Sequence, residues 1–309
     1  MAAPADGNQA EPIKPLPPDF TRTLQYAHTG SAAEIGQDLA QIGEYLQQQR
    51  QKNQRYGWII VISGICLIIS FPLLASPLSF LPLVISAGVL GFAVYQCSRS
   101  VVALRYRLGV CRQAITLVQR DLAPTDLQIT LDLRHPCKQK QPVQSLPVQF
   151  SNMKRDFFAD QWLDLQGEFL DGTQFALVAT EFVVRKHGTK RGRSGKTKHK
   201  SKVKSKGIEV ALVLHIPRKR YGAVDVLQQD AAEALQLPSP VALKSFKIKQ
   251  NRLQIVTKLP SIDLPMNLVD QSDASQSATV DVLSHTIGSL FLGSYHILNL
   301  AHKLSKPTT

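Results

Sequence analysis

Acidic side chains recur at four-residue spacing in one part of the sequence. Asp156, Asp160, Asp164 and Glu168 could gather around a hard cation if this segment were helical. The surrounding pattern is partly that of a strand, so a solvated face is the simpler interpretation. These four carboxylates are the group that an enzyme of unrecognised type would use. A pocket that contained two of them with raised pKa values would favour that hypothesis.

Three other patterns lack a part that their chemistry requires. The letters GKT, beginning at Gly195, end a phosphate-binding loop, but that motif needs a glycine where the chain has Lys190 and a strand that leads into a helix. His285 on the last helix has too few neighbouring ligands for a metal, and the four cysteines contain no CxxC pair. The sequence therefore indicates no catalytic residue, no metal site and no cofactor.

The strongest chemical signal is a run of basic residues. The stretch KHGTKRGRSGKTKHKSKVKSKG, residues 186–207, contains no acid. The formal net charge is +13, and eleven of the positive charges lie between residues 185 and 206, so the remainder of the chain is close to neutral at +2. Local basicity of this kind predicts a surface that binds an anionic ligand. The candidate binding residues are Arg185, Lys186, Lys190, Arg191, Arg193, Lys196, Lys198, Lys200, Lys202, Lys204 and Lys206.

Several partners fit such a segment. Anionic lipid headgroups attract each Lys or Arg near a membrane surface by about 1 kcal/mol. Nucleic acid would be held through its phosphates, although the segment has no aromatic side chain to stack on bases. An acidic protein surface is a third partner, and the stretch from Asp156 to Glu181, with no Lys or Arg, offers one within the chain or on a second copy in a homo-oligomer. A solvated loop without a partner is the alternative.

The elements that must position this segment begin with a long uncharged stretch. Between Arg55 and Arg99 the chain has no charged residue, and roughly 20 apolar residues are enough to cross a bilayer. We predict a transmembrane hairpin with spans over residues 58–75 and 78–97. Because basic residues flank both spans and the turn has none, the positive-inside rule places both termini in the cytoplasm. Two buried core helices are the alternative.

Helical periodicity continues on both sides of this stretch. We expect a helical stalk within residues 23–122 that forms an antiparallel coiled coil, after a disordered leader over residues 1–22. The alternative is that each apolar stripe packs on the carboxy-terminal domain or on another copy. The stripes consist of Ile35, Leu39, Ile42 and Leu46 before the apolar stretch, and Leu104, Leu108, Cys111, Ile115, Val118 and Leu122 after it.

From Asp126 the period changes from helical to two. Alternating apolar residues predict a strand in DLQITLDLR, a hairpin around Asp171-Gly172, a strand over residues 208–216 and a hairpin around Gln250-Asn251. A helix is expected over residues 221–238, and a long helix with an apolar stripe from Val280 to Leu304 closes the chain. Strands followed by helices predict an α+β domain over residues 123–309. The basic segment would be a long loop of this domain, extended by its own repulsion.

The order of these features resembles a family of uncharacterised two-span bacterial membrane proteins of the cyanobacterial type. The resemblance rests on the hairpin followed by a strand pair that brackets RGRSGKTKHKSKVKSKG, and it covers Tyr56 to Tyr221. It implies a compartment and no reaction. We therefore expect an integral membrane binding or scaffold protein whose cytoplasmic domain docks anionic headgroups or an acidic partner. A membrane-tethered nucleic-acid-binding protein and an enzyme using the four carboxylates are the alternatives.

Overall fold

Helices dominate the first third of the chain and strands the middle of it. The computed structural model describes residues 20–70, 80–99, 104–124, 126–148, 152–191, 196–221, 235–260 and 273–305. The helices in these ranges are α1 (Phe20–Thr23), α2 (Ala32–Ser70), α3 (Phe80–Arg99), α4 (Arg105–Val118), α5 (Pro136–Gln139), α6 (Arg218–Tyr221) and α7 (Asp273–Ser305). The strands are β1 (Gln25–Gly30), β2 (Leu127–Asp132), β3 (Gln144–Pro147), β4 (Met153–Glu168), β5 (Gln174–Arg191), β6 (Thr197–His215), β7 (Ala242–Lys249) and β8 (Arg252–Leu259).

The described strands form one antiparallel sheet of eight strands in an α+β fold. Its order is β1-β2-β4-β5-β6-β8-β7, and β3 pairs with β4. The hairpins predicted around Asp171-Gly172 and Gln250-Asn251 are confirmed as the turns between β4 and β5 and between β7 and β8. The strand and the closing helix predicted at 208–216 and 280–304 are confirmed as parts of β6 and α7. The helix expected over residues 221–238 lies mostly outside the described residues.

Helices cover one face of the sheet, which we call the inner face. Along β5 the odd-numbered residues from Phe175 to Val183 are all buried, and the even-numbered residues between them are partly exposed. Apolar residues of α4 and α7, among them Ile115 and Leu290, belong to the same hydrophobic core as the inward-facing strand residues. The even-numbered residues of β5 therefore mark the opposite side of the sheet, which we call the outer face.

The apolar stripe of α2 is also part of this core. Ile35, Leu39 and Ile42 have no exposed surface, Leu46 is 6% exposed, and all four belong to the core cluster that contains the strands. The first half of α2 lies beside α4. The two stripes therefore pack on the sheet-containing part of the chain. This arrangement agrees with the alternative stated above and not with a projecting stalk.

The predicted transmembrane hairpin corresponds to the end of α2 and to α3. In the described part of the chain, no helix is long and apolar enough to cross a membrane. This finding contradicts the two predicted spans and the cytoplasmic placement of both termini that depended on them. The expected turn, within residues 71–79, lies outside the described residues.

The helices α2 and α3 contact each other through small side chains. Ser63, Ser86 and Ala93 are buried, whereas larger apolar side chains are exposed, among them Trp58 at 69% and Ile62 at 57%. This pair of helices therefore adds little to the main hydrophobic core, which is formed by the sheet, α4, α7 and the first half of α2.

Two strands contain one extra residue that changes which side chains face the core. The register of β4 against β5 shifts at Trp162, and the register of β6 against β5 shifts at Lys206. Because successive strand residues point to opposite faces, an extra residue exchanges the faces of all residues beyond it. On β6 the buried residues from Ile208 to Leu214 are even-numbered, but the buried residue before the bulge is Ser205.

The basic segment is a strand pair over most of its length, which corrects the prediction of a long loop. β5 continues to Arg191 and β6 begins at Thr197, and these two residues pair with each other. Residues 192–195 lie outside the described part of the chain. Lysine side chains that point into water leave the backbone donors and acceptors available, so a ladder that is already in register continues by adding local pairs.

We expect Gly207→Ala to destabilise the fold, because Gly207 fixes the geometry of the β6 bulge. Its φ is +114°, and an added Cβ atom would lie 2.3 Å from the carbonyl oxygen of Leu259. A residue with a side chain in this backbone conformation costs about 1–3 kcal/mol, and urea denaturation would measure that loss. Gly36→Ala in α2 is the matched control, because its Cβ would meet nothing within 4 Å and alanine favours a helix. An unchanged urea midpoint for Gly207→Ala would contradict this geometry.

Candidate anion-binding site

The basic ribbon is the part of the β5–β6 pair that extends beyond the β6 bulge, residues 185–191 and 197–206. Its strands are in register throughout, with Lys186 opposite Lys202 and Gly188 opposite Lys200. Side chains of paired residues share a face, and the next residue along each strand points to the other face. The ribbon therefore has two faces of different composition.

The outer face of the ribbon collects most of the predicted binding residues. Lys198, Lys200, Lys202 and Lys204 alternate along β6 and are exposed, and Lys186 lies opposite Lys202 on β5. Successive lysines on one strand are about 6.8 Å apart at the usual rise of an antiparallel strand. Arg155 of β4 pairs with Lys186, so it adds a sixth cation to this face. Arg155 lies outside the basic run, and only the strand register could have indicated its position.

The other predicted binding residues have different positions. Arg185 lies on the inner face, where it binds a carboxylate. Lys206 is the extra residue of the bulge, and Lys196 precedes β6; both are exposed. Lys190 and Arg191 belong to β5, but their side chains lie outside the described part of the structure, as does Arg193.

Asp156 holds the inner face of the ribbon against β4. Its Oδ2 atom lies 2.8 Å from Nη2 of Arg185 and 2.8 Å from Nε2 of His187, and Ser145 donates to its Oδ1 atom. Burial alone would raise the pKa of Asp156, but the hydrogen bonds from Arg185, Ser145 and His187 outweigh burial and lower it. The predicted contact between the basic segment and the acidic stretch is thus made by Arg185 and His187.

A buried arginine neutralises the two other inner-face acids of these strands. Arg107 of α4 is fully buried, and its Nη2 atom lies 2.7 Å from carboxylate oxygens of both Asp160 and Glu181. Its remaining donors bind the hydroxyl of Tyr106 and the carbonyl oxygens of residues 132 and 134. Burial would lower the pKa of Arg107, but Tyr106, Glu181 and Asp160 outweigh it and raise this pKa, so the guanidinium stays charged. Its side chain also lies over the ring of Trp162, 5.4 Å from the centroid.

Asp132 of β2 completes the inner-face ion pairs. Arg134 and Lys140 both contact its Oδ2 atom, at 2.7 and 2.9 Å, and Lys140 also contacts Asp160. Burial raises the pKa of Asp132, but hydrogen bonds from Arg134 and Lys140 outweigh burial and hold it well below its usual range. Every one of these buried acids therefore has at least one cation beside it.

The four evenly spaced carboxylates do not form one group. Asp156 and Asp160 point to the inner face, while the shift at Trp162 places Asp164 and Glu168 on the outer face. Asp164 accepts hydrogen bonds from Gln161 and Gln166. Asp156 and Asp160 on the inner face form ion pairs with basic side chains. The four acids therefore neither line a common pocket nor share a proton.

His285 lies at a distance from the ribbon. It lines a groove of about 670 Å³ between α4 and α7, together with Asp281 and Ser284. Within the residues that the structure describes, no group of three or more His, Cys, Asp or Glu could hold a metal ion.

Charges are therefore segregated between the two faces. The acids Asp132, Asp156, Asp160 and Glu181 point inward and are paired, whereas the outer-face lysines of the ribbon make no ion pair with any described carboxylate. Like charges that lie directly opposite each other destabilise a strand pair by up to about 1 kcal/mol. Lys186 and Lys202 are such a pair. Among the described residues, the outer face of the ribbon thus has no counter-charge.

Comparisons of this chain with protein-family models, with curated proteins and with solved structures each found no match. The resemblance to two-span bacterial membrane proteins receives no support from them. The function of this chain must accordingly be inferred from the geometry and charge of its two sheet faces.

We expect Arg107→Met to cost about 3–5 kcal/mol of unfolding free energy, because it leaves two buried carboxylates without their shared cation. The urea midpoint of the full chain measures this loss. Arg112→Met is the matched control, since Arg112 lies on the same helix and is exposed. Adding Asp160→Asn and Glu181→Gln to Arg107→Met should recover part of the stability. A loss no larger than that of Arg112→Met would show that the buried ion pairs do not stabilise the fold.

The pH dependence of stability should reveal the contribution of Asp132. Because folding lowers its pKa below the value of about 3.9 for an unfolded aspartate, the charged form stabilises the fold above that pH, and the contribution disappears as pH falls through the folded-state pKa. We expect Asp132→Asn to lose about 1.5–3 kcal/mol at neutral pH and to converge with the unchanged protein in strong acid. Urea midpoints over a pH series measure both effects. Asp164→Asn is the control, and a gap that persists in strong acid would contradict the ion-pair explanation.

Proposed function

We propose that this chain acts by binding, and that the outer face of the basic ribbon docks an extended polyanion that carries phosphate groups. The observation that carries the proposal is the alternation of Lys198, Lys200, Lys202 and Lys204 on one exposed face without a described counter-charge. A charged face that pairs like charges across two strands works against its own folding. Such a face gains stability when a ligand supplies the opposite charge.

The ribbon suits a linear or planar anion better than a small one. Its lysines lie in a row of about 20 Å, from Lys198 to Lys204, at the rise of an extended strand. They do not converge on one point, as the ligands of a single phosphate would. A nucleic-acid strand or the surface of an anionic bilayer presents phosphates over such a length. The sequence favours lipid through the predicted transmembrane spans, which the described helices do not support.

An acidic partner protein is a weaker match than a phosphate-bearing polymer. The acidic stretch from Asp156 to Glu181 cannot be offered intact to a second copy, because Asp156, Asp160 and Glu181 are buried and paired within the chain. The outer-face cations therefore remain as the docking surface, with phosphate as the group that they bind, whichever molecule carries it.

Salt dependence tests the proposal. Six outer-face cations predict a slope of log affinity against log salt of about −4 on a single strand, which is a loss of roughly 300-fold between 50 and 200 mM salt. We expect Lys198, Lys200, Lys202 and Lys204 changed together to Gln to reduce that slope to between about −1 and −2. Fluorescence anisotropy with a labelled oligothymidylate, and co-sedimentation with vesicles of phosphatidylglycerol and phosphatidylcholine, would measure the two sources of phosphate.

The matched control removes four cations from the opposite end of the sheet, with Lys219, Lys247, Lys249 and Arg252 changed to Gln. These residues are exposed, and β8 begins at Arg252, which pairs with His215 far from the ribbon. Changing the four ribbon lysines to Arg should preserve binding. Equal weakening by the ribbon variant and the control would indicate a net-charge effect and contradict the proposal, as would no binding of either phosphate source by the unchanged protein.

A further inference from the structure

Two phenylalanine rings lie on the outer face where the basic ribbon meets the rest of the sheet. Phe157 of β4 pairs with Val184 of β5, and Phe182 precedes Val184 by two residues, so both rings share the face of the ribbon lysines. They are diagonal neighbours across the two strands, about 7–8 Å apart. Lys204 pairs with Val184 from the other side. The rings therefore adjoin the row of lysines directly.

These rings do not serve the hydrophobic core. Their sequence neighbours Phe158 and Val183 point to the inner face, where they form a buried cluster with Cys137. Phe157 and Phe182 themselves are partly exposed. Two partly exposed rings side by side on an open sheet face are a feature that packing alone does not require.

The surroundings of Phe182 leave its ring accessible. Its cross-strand neighbours are Ala159 and Gly207, the residues with the smallest side chains. On the other side of the pair, Gln144 of β3 lies opposite Phe157 and is exposed. A flat ring with small neighbours and an amide nearby is suited to a planar aromatic ligand, because stacking needs one open face and the amide can bind a polar edge.

We propose that this face binds single-stranded nucleic acid, with bases stacked on Phe157 and Phe182 and phosphates paired with the ribbon lysines. The inference rests on the proposed polyanion docking and names the class of polyanion. Every base has a π face, so stacking on two phenylalanines gives affinity with little sequence preference. Lysines beside the rings supply the charge that follows the backbone.

The aromatic pair distinguishes a single strand from the other phosphate sources. Bases of a duplex are stacked on one another, so their faces are not available to rings on a flat sheet. A lipid headgroup has no planar ring to stack. The lysines alone fit all three ligands, but the rings fit only a ligand with exposed bases.

The decisive experiment compares two oligonucleotides of about 12 nucleotides, a length within the range of known single-strand sites. One is oligothymidylate, and the other is an abasic strand with the same number of phosphates. We expect the full chain with Phe157→Leu and Phe182→Leu to bind oligothymidylate at least about 10-fold more weakly, since stacking on each of the two rings contributes roughly 5-fold or more. The same variant should bind the abasic strand as the unchanged protein does. Phe157→Trp with Phe182→Trp should retain binding to oligothymidylate.

The outcomes separate this inference from the proposed function. If the leucine variant binds oligothymidylate normally while the Lys→Gln variant does not, base stacking is excluded and charge-driven docking stands. Equal weakening toward both strands would assign the phenylalanines to folding and overturn the inference. Duplex DNA of the same length binding as tightly as the single strand would overturn it as well. If the Lys→Gln variant binds both strands normally, the proposed docking surface is itself wrong.

Discussion

The alternation of side chains along a strand is the constraint on which the charge distribution of this protein depends. Two single-residue shifts, at Trp162 and Lys206, exchange the faces of β4 and β6 at nearly the same level of the sheet. Without the shift on β6, the even-numbered lysines would share the face of Ile208 and Val210, which is buried. They would then point toward the inner-face acids. The bulge instead places them in water, and the glycine that follows it, Gly207, adopts a backbone conformation that other residues rarely tolerate.

The inner-face ion pairs make this separation of charge compatible with a folded chain. Three cations, Arg107, Arg134 and Lys140, face three acids, Asp132, Asp160 and Glu181, so this part of the interior is close to neutral. Buried ions lose their hydration, and the loss is offset here because hydrogen-bond acceptors surround the guanidinium of Arg107. Since these acids are satisfied internally, they do not attract the ribbon lysines. The lysines thus keep their charge available for a ligand.

Much of the sheet follows from period-two patterns in the sequence, but the functional surface does not. The strands at 127–132 and 208–215 and both hairpin turns are visible as alternation between turn residues. The continuation of β5 and β6 into the basic segment is not visible in this way, because Lys, Ser and Thr show no apolar period.

The buried position of Arg107 was also not predicted, because its place in the sequence suggests a basic residue that flanks a membrane span. The sequence did contain one signal for a buried cation. Glu181 is a carboxylate at an inward position of an apolar strand, and such a carboxylate requires a cation. Composition predicts two spans in the uncharged stretch, whereas no described helix is long and apolar enough to cross a membrane. Phe157 and Phe182 are far apart in sequence, and only the register brings them together.

Electrostatic repulsion within the ribbon links its folding to the binding of the proposed polyanion. Each pair of opposed lysines costs up to about 1 kcal/mol in the strand ladder, and nothing in the described inner face offsets that cost. Besides the contacts of Asp156 with Arg185 and His187, the described ribbon is held by the pairing of β5 with β6, by the pairing of β4 with β5 as far as Gly188, and by Val203, which packs against Phe158 and Val183. A polyanion that neutralises the lysines removes the repulsion and stabilises the paired strands. If the ribbon binds a polyanion as proposed, binding and ordering share one free energy.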